Sequence, residues 1–430
     1  MTHTADQTGT SSPPLPAEIH SLQTRTVGTL MSSQVLGGVG VASGIAVAAL
    51  MAADISGRDD LSGLANTTQV LGGALITIPI AALMAARGRR AGLVTAYLIG
   101  TVGAGLAITA AVLGSFWLLL LGTALFGAST TANSQARYAA VDLAPPRRRG
   151  RHLSLVVWAT TIGSVLGPNL LGPAKAVSDV IGIPPLAGAW LFSAAGFLVA
   201  AAVVSLFLRP DPLLTARALA HHGQPTGQRV AQRGSVVHGA RAILASPTIA
   251  LGTLAITSGH IVMVAVMVMT PIHMSHGHAE VEVIGFVISM HILGMYGLSP
   301  VAGYLTDRWG SRPVILVGVL LQVTACVLAA TSQAGWSVGL LIALFLLGLG
   351  WSCTMVAGSG LIAAGSQVED RASVQGASDL TMGLSAAAAG ALAGVVVQYL
   401  GYDWLGGAAA LVALALGVYT VVAGRGTQRA

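Results

Sequence analysis

Twelve apolar segments dominate this chain, and each is long enough to cross a bilayer as a helix. Crossing about 30 Å of hydrocarbon takes roughly 20 mainly apolar residues. Hydrophobic residues fill 54% of the 430 positions and charged residues only 8%, far from the balance of a soluble domain. We therefore predict an all-α membrane protein. The predicted spans cover residues 27–53, 62–86, 91–113, 115–138, 152–177, 186–208, 246–272, 281–305, 313–333, 335–361, 371–398 and 402–424.

The basic residues predict the orientation, because Lys and Arg in short loops are retained on the cytoplasmic side. Of the 21 basic residues, only Arg58 and Lys175 fall in loops on one side; the rest share the other side with both termini. This predicts cytoplasmic termini and a multi-pass protein of a bacterial-type cytoplasmic (inner) membrane. The net charge of +6 is then a topological signal and gives little reason to invoke nucleic acid.

The longest interruption separates two halves of six spans each. We predict a disordered tail at 1–26, an N-terminal bundle at 27–208, a cytoplasmic linker at 209–245, a C-terminal bundle at 246–424 and a tail at 425–430. Gly88 opens the third span and Gly310 opens the ninth, 222 positions later, while Arg151 and Arg371 repeat at an offset of 220. Two landmarks at nearly one offset indicate a duplicated six-helix unit.

The loop before the ninth span reads GYLTDRWGSR and resembles the signature G-x-x-x-D-R-x-G-R-R of the major facilitator superfamily. The matching positions are Gly303, Asp307, Arg308, Gly310 and Arg312, and Ser311 departs. The N-terminal counterpart keeps Gly88, Arg89 and Arg90 but has Ala81, Ala85 and Ala86. The resemblance implies two bundles that expose a midplane site alternately to each side. We expect the five matching residues to act as a conformational latch.

Histidine and methionine are concentrated in residues 260–295, which hold 11 of the 23 such residues in the chain. His260, Met263 and Met267 follow one helical stripe, and His291 and Met295 are spaced to share a face of the next span. At about 1.5 Å per residue, His260 and Met295 lie near midplane, with His291 roughly 3 Å, Met263 roughly 6 Å and Met267 about 12 Å outward. The two stripes are therefore predicted to meet at similar depth.

Thioether and imidazole ligands without carboxylates favour Cu(I) over Mg(II), Ca(II) or Mn(II). Met263-x-x-x-Met267 followed by His291-x-x-x-Met295 resembles the paired motifs of the CcoA-type copper importers. That resemblance implies that these four residues bind copper; His260 is added from helix geometry alone. We predict Cu(I) uptake, with free or chelated copper as the transported substrate, and we expect no cofactor and a monomer.

Two further features have competing interpretations. His273, Met274, His276 and His278 lie just outside the seventh span, where they could capture metal or form an ordinary solvated loop. Asp379, inside the eleventh span, could titrate during transport or be hydrogen-bonded at a helix contact.

The main alternative is a drug/proton antiporter. Gly163, Gly167, Pro168 and Gly172 resemble the antiporter motif G-x-x-x-G-P-x-x-G-G and predict a helix bend and a close helix approach. The arginine of that family's fourth-span pattern is replaced by Thr123. Efflux of the same metal and a copper receptor also remain open. The spans offer few Asn, Gln and aromatic residues for a sugar carrier, and no catalytic or ATP-binding motif indicates an enzyme.

Overall fold

The computed structural model describes residues 16–58, 61–220 and 235–426, and these residues are almost entirely helical. The first half contains α1 (Pro16–Ser56), α2 (Gly63–Arg87), α3 (Arg89–Leu113), α4 (Phe116–Ala139), α5 (Arg149–Asn169), α6 (Leu171–Ile181), α7 (Ala187–Phe207) and α8 (Pro212–Ala220). The second contains α9 (Val236–Ala245), α10 (Pro247–His276), α11 (Val281–Ile292), a π-helical turn (Leu293–Gly297), α12 (Ser299–Trp309), α13 (Ser311–Ala330), α14 (Val338–Gly365), α15 (Arg371–Tyr399) and α16 (Tyr402–Gly426).

These helices confirm the predicted all-α fold with twelve spans. Within the described ranges, 11 helical stretches are long and apolar enough to cross a membrane, and the run from α11 to α12 counts as one of them. The twelfth span is the pair α5 and α6, which bends by 51° at the break after Asn169. Pro168 lies in the last turn of α5, where a proline removes a backbone donor and favours a bend.

The predicted N-terminal tail is wrong for residues 16–26, because α1 already begins at Pro16. This extension is fastened to its own bundle: Gln23 Nε2 donates to the carbonyl of Ala140, just beyond α4, at 2.6 Å. This hydrogen bond from a buried amide nitrogen stabilises helix where composition alone indicated disorder. Residues 1–15 lie outside the described part of the chain.

The predicted linker is also more ordered than expected. Its first part forms α8 and its last part forms α9, and only 221–234 between them falls outside the described residues. Gly239 of α9 packs against the backbone of Ser373 at the start of α15. The linker therefore contacts both halves of the fold on the face that carries most of the basic residues, here called the basic face.

The same backbone turn occurs once in each half of the fold. Gly88 joins α2 to α3 with φ 88° and ψ 173°, and Gly310 joins α12 to α13 with φ 86° and ψ 166°. Positive φ of this kind is readily available only to glycine. The same turn at the same place in each half supports the duplication inferred from the sequence.

The two bundles meet on the basic face. Ser299 Oγ of α12 donates to the carbonyl of Ser154 in α5 at 3.1 Å. On the other side of the interface, Gly376 of α15 packs against Ala81 of α2. Because the bundles are joined in this half, the space between them is closed toward the basic face. With the predicted orientation, this is an outward-facing conformation.

Candidate functional site: a central cavity between the bundles

A cavity of about 610 Å³ lies between the two bundles. Its walls come from α1, α2, α4 and α5 on the N-terminal side and from α10, α11, the π-helical turn, α14 and α15 on the C-terminal side. Pockets for small organic ligands usually measure about 300–1,000 Å³. The space is therefore much larger than a bare metal ion needs.

The N-terminal wall carries nine uncharged polar side chains among apolar ones. The sequence predicted few such groups, but folding gathers them from four helices onto one surface. Gln34 is held there by a hydrogen bond from its Nε2 to Thr160 Oγ1 at 3.1 Å. This wall contains Gln34, Gln69, Thr77, Thr130, Thr131, Asn133, Ser134, Thr160 and Ser164.

The C-terminal wall is aromatic and thioether-rich. Tyr296 and Trp351 pack edge to face, with ring centroids 5.5 Å apart. Flexible thioether side chains adapt to irregular shapes and make favourable contacts with aromatic rings. The cavity thus offers hydrogen bonds on one side and an apolar, polarisable surface on the other. The aromatic and sulfur residues of this wall are Met267, Met295, Tyr296, Trp351, Met355 and Met382.

His260 lines the cavity as the sequence predicted, but its bonding makes it a hydrogen-bond donor. Trp351 Nε1 donates to His260 Nδ1 at 2.9 Å. Because an indole nitrogen can only donate, Nδ1 must be unprotonated, and the neutral ring then carries its proton on Nε2. The nitrogen left for a ligand is therefore N–H and has no lone pair for a metal. In this conformation the proposed role of His260 as a copper ligand does not fit.

His291 and Met295 do not share a face in the way the sequence predicted. The His291 side chain is buried, and its Nδ1 lies 2.7 Å from the carbonyl of Leu344 in α14. Met295 instead lines the cavity. The π-helical turn explains the difference, because i to i+5 bonding widens the turn and rotates position i+4 away from the face expected for an α-helix.

Met263 lies behind the cavity wall, packed in one hydrophobic cluster with Met295, Met355 and Met382. Met267 packs against the same cluster and also lines the cavity. Of the five predicted ligands, the structure thus places His260, Met267 and Met295 on the wall and Met263 and His291 behind it. Sequence spacing missed Met355 and Trp351 because α14 carries no recognisable motif.

The predicted external capture loop is not assembled as a cluster. Met274 is fully buried in the core of the C-terminal bundle, so its prediction as a surface ligand is wrong. His273 stacks on Tyr402 with ring centroids 4.1 Å apart, and its Nε2 lies 3.2 Å from Ser332 Oγ. His276 and His278 are exposed. Among the described residues, no group of three or more His, Cys, Asp or Glu side chains is placed to hold a metal.

An ion pair forms the floor of the cavity and crosses from one bundle to the other. Arg137 of α4 contacts Asp379 of α15, and both side chains are nearly fully buried. Gln135 Nε2 donates to the same carboxylate at 2.8 Å, and Arg137 Nε donates to Ser359 Oγ at 3.2 Å. Asp379, proposed from sequence as a coupling residue, is therefore also a structural bridge.

A second buried network lies below that floor. Asp142 binds Arg89 Nε at 2.8 Å and also faces Arg371 of α15 at 3.5 Å. Arg89 in turn donates to Gln375 of α15. Two layers of charged contacts therefore join the bundles on the basic side of the cavity. Ordinary positive-inside statistics account for arginines near this face but do not predict these pairings.

The predicted latch of the C-terminal half makes a specific contact between the bundles. Asp307 accepts the backbone N–H groups of Gly150 and Arg151, at the start of α5, at 2.7 and 2.9 Å. A carboxylate is stabilised at a helix N-terminus. Gly303 lets the backbones of α12 and α5 approach closely. Arg308 instead bonds Tyr304 within its own helix.

The glycines of the motif that runs from α5 into α6 differ in their packing. A side chain at Gly163 would meet the backbone of Gly38 at 2.7 Å, and one at Gly167 would meet Ser43 N at 2.9 Å. A side chain at Gly172 would meet nothing within 4 Å. Gly163 and Gly167 therefore allow α1 and α5 to pack closely, whereas Gly172 does not serve this purpose.

We expect Gly163→Val to destabilise the protein by about 1–3 kcal/mol, the usual effect of overpacking a tight contact. The added side chain must separate α1 from α5. Gly172→Ala is the matched control and should leave the unfolding midpoint of the purified protein unchanged. Equal midpoints for the two variants would show that close approach of these helices is not required.

Two helical bundles around a central cavity, joined on the basic face, define a membrane transporter that works by alternating access. The chain belongs to the Major Facilitator Superfamily, whose family model matches residues 29–279 and 253–428. Its function is transport across a lipid bilayer, and it is not an enzyme.

Known proteins are similar to this chain over nearly its whole length. An uncharacterized MFS-type transporter, YddS of Bacillus subtilis, is 36% identical over 402 residues, which is 93% of this chain and 91% of that protein. The riboflavin transporter RfnT of Brucella anthropi is 28% identical over 386 residues, covering 89% and 92% of the two chains. The crystal structure of the human organic anion transporter MFSD10 (TETRAN) superposes with a TM-score of 0.70 at 15% identity, covering 93% of this chain and 99% of that one. That last likeness concerns the fold alone.

Proposed function

We propose that this transporter takes up a small planar organic solute with a hydrogen-bonding edge, of the flavin class, across a bacterial cytoplasmic membrane. The observation that carries the proposal is the asymmetry of the cavity, with amide and hydroxyl groups on one wall and aromatic and thioether groups on the other. A flat heterocycle presents the same two surfaces, a polarisable face and a polar edge. The cavity volume also suits a ligand of this size.

The bonding of His260 supports an organic ligand. Since Trp351 occupies Nδ1, the Nε2–H of His260 is available to donate to a carbonyl or ring nitrogen. Flavin rings carry both kinds of acceptor on one edge. The riboflavin transporter RfnT is a full-length relative of this chain, which supports a flavin as the first solute to test.

Uptake is the proposed direction. The cavity is closed toward the basic face, which the distribution of arginine assigns to the cytoplasm, and loading from the opposite side is the step available to this conformation. A solute with one positive charge would gain about 2.3 kcal/mol per 100 mV of membrane potential on entry, whereas a neutral solute gains nothing from that potential. Accumulation of a neutral flavin would therefore require a coupling ion.

Cu(I) is the second candidate, and one observation favours it. His291 Nε2 is buried and has no hydrogen-bond partner among the described residues, while its Nδ1 faces a backbone carbonyl. Histidines that bind metals commonly donate their other nitrogen to a carbonyl in this way. The neighbouring thioethers of Met263, Met267 and Met295 suit a soft monovalent ion. Such a site would require His291 to turn toward the methionine cluster.

The drug/proton antiporter alternative gains less support. The bend after Pro168 and the close approach at Gly163 and Gly167 are packing features that suit any substrate. No contact in the cavity distinguishes a drug from another organic solute.

We expect proteoliposomes containing the purified transporter to take up riboflavin saturably, and flavin fluorescence to be quenched on binding. Cu(I) uptake in the same vesicles, with and without Met263→Leu, Met267→Leu, His291→Ala and Met295→Leu combined, tests the second candidate. Empty vesicles are the baseline. Folded protein that neither binds nor transports riboflavin but accumulates Cu(I) in a manner lost in the fourfold variant would overturn the flavin proposal.

A further inference from the structure

The two halves of this transporter are latched on the basic face by different chemistry. In the C-terminal half, the carboxylate of Asp307 accepts the backbone N–H groups at the start of α5. The position 222 residues earlier is Ala85, at the end of α2, which has no group that could do the same for α15. The duplicated fold therefore lacks one of its two acidic latches.

Arg217, in the linker helix α8, bridges the interface at this point. Its side chain is only 4% exposed. Nη1 donates to the carbonyl of Ala85 at 2.7 Å, and Nη2 donates to the carbonyl of Glu369, in the turn before α15, at 2.9 Å. Nε reaches the carbonyl of Val368 at 3.5 Å. One guanidinium thus joins the end of α2 in the first bundle to the approach of α15 in the second.

Asp211 fixes the linker helix in place for this contact. Its Oδ2 accepts the backbone N–H of Arg90 at 2.7 Å, and its Oδ1 accepts those of Leu213 and Leu214 at 3.0 and 3.1 Å. The same carboxylate therefore caps the first turn of α8 and binds the first turn of α3. Gly88 leaves the necessary room, because a side chain there would meet this carboxylate at 2.5 Å.

We propose that Arg217 is a positioning residue of the transport cycle that replaces the missing acid at position 85 and holds the bundles together in the outward-facing state. The latching side chain has opposite charge in the two halves. Asp307 places negative charge at the N-terminus of α5. Arg217 places positive charge against a carbonyl at the end of α2 and against carbonyls in the turn before α15. Charge-assisted hydrogen bonds of this kind are roughly twice as strong as neutral ones.

The latch is expected to open between Arg217 and the turn before α15. Asp211 and Ala85 both tie α8 to the first bundle, so α8 stays with α2 and α3 when the bundles separate. The bonds from Arg217 to Val368 and Glu369 are then the ones that break. These two bonds join α8 to the C-terminal bundle, and α8 moves as part of the N-terminal half.

The test is a distance measurement across the latch in the full-length protein. Spin labels are attached to cysteines introduced at Ala86 and Gln367, which are exposed on either side of it; the two native cysteines are buried. Arg217→Ala should raise the population with a long distance between the labels about tenfold, the change expected for loss of one charge-assisted hydrogen bond. The measurement needs no substrate, so it stands apart from the proposed flavin transport.

Arg209→Ala is the matched control, because Arg209, just beyond the end of α7, bonds the carbonyl of Ser205 in that helix and its loss should leave the distances unchanged. Adding Ala85→Asp to Arg217→Ala should restore the short distance, since the new carboxylate would face the start of α15 as Asp307 faces α5. If Arg217→Ala does not fold, Arg217→Gln, which keeps one donor, should give an intermediate shift. Unchanged distances in Arg217→Ala, an equal effect of Arg209→Ala, or a failed rescue by Ala85→Asp would each overturn the proposal.

Discussion

Asp379→Asn is expected to reduce initial uptake at least 100-fold while the protein still reaches the membrane. The substitution leaves Arg137 buried without its counter-charge, and breaking a buried ion pair on one side typically costs about 3–5 kcal/mol. Because the pair joins α4 to α15, its loss weakens the contact that closes the cavity floor. The population open toward the basic face should rise accordingly.

Asp54→Asn, at an exposed aspartate near the end of α1, is the matched control and should transport normally. Combining Asp379→Asn with Arg137→Gln removes both charges and should recover much of the lost thermal stability without recovering transport. Initial rates in vesicles and unfolding midpoints separate these effects. A near-normal rate for Asp379→Asn would show that the ion pair has no part in the transport cycle.

Trp351→Phe is expected to have opposite effects for the two candidate substrates. The variant keeps an aromatic ring but removes the N–H that holds His260 Nδ1 at 2.9 Å. His260 is then free to adopt either tautomer. Affinity for a flavin should fall about tenfold, because a positioned donor is lost. Affinity for Cu(I) should rise, because the lone pair on Nδ1 becomes available to the metal.

Trp117→Phe provides the control, since Trp117 is 79% exposed and does not line the cavity. Flavin affinity can be followed by fluorescence quenching and Cu(I) affinity by competition with a chromogenic chelator. Stronger flavin binding in Trp351→Phe would contradict the assignment of His260 as a donor to the solute. Weaker Cu(I) binding would contradict a copper site that uses this ring.

The membrane spans could be predicted from the sequence because the controlling quantity, the length of each apolar run, is local. A run of about 20 apolar residues must span the hydrocarbon whatever its neighbours do. The orientation inferred from the basic loops stays a prediction. The turn at Gly310 was equally readable, since positive φ requires glycine. The start of α1 could not be predicted, because residues 16–26 are held in place by a contact with Ala140, which is more than a hundred positions away.

The cavity could be predicted only in part. His260 and Met267 were found because they follow one stripe of the seventh span, and Met295 because it was predicted near the depth of His260 on the next span. His291 was misplaced because the π-helical turn at 293–297 breaks the α-helical spacing on which the estimate relied. The polar wall escaped notice because its residues are spread over four helices with no shared motif. Asp379 was noticed, but only tertiary packing brings it together with Arg137.

The division of the cavity into two walls of different chemistry also bears on how such a transporter diversifies. Each wall belongs to one half of a duplicated gene product, so each can accumulate substitutions without disturbing the other. Changes at Trp351 or Met355 would retune the preferred ring system while the hydrogen-bonding surface around Gln34 and Asn133 persists. Related transporters that differ mainly in the C-terminal half would then share a polar recognition element and diverge in the apolar part of their cargo.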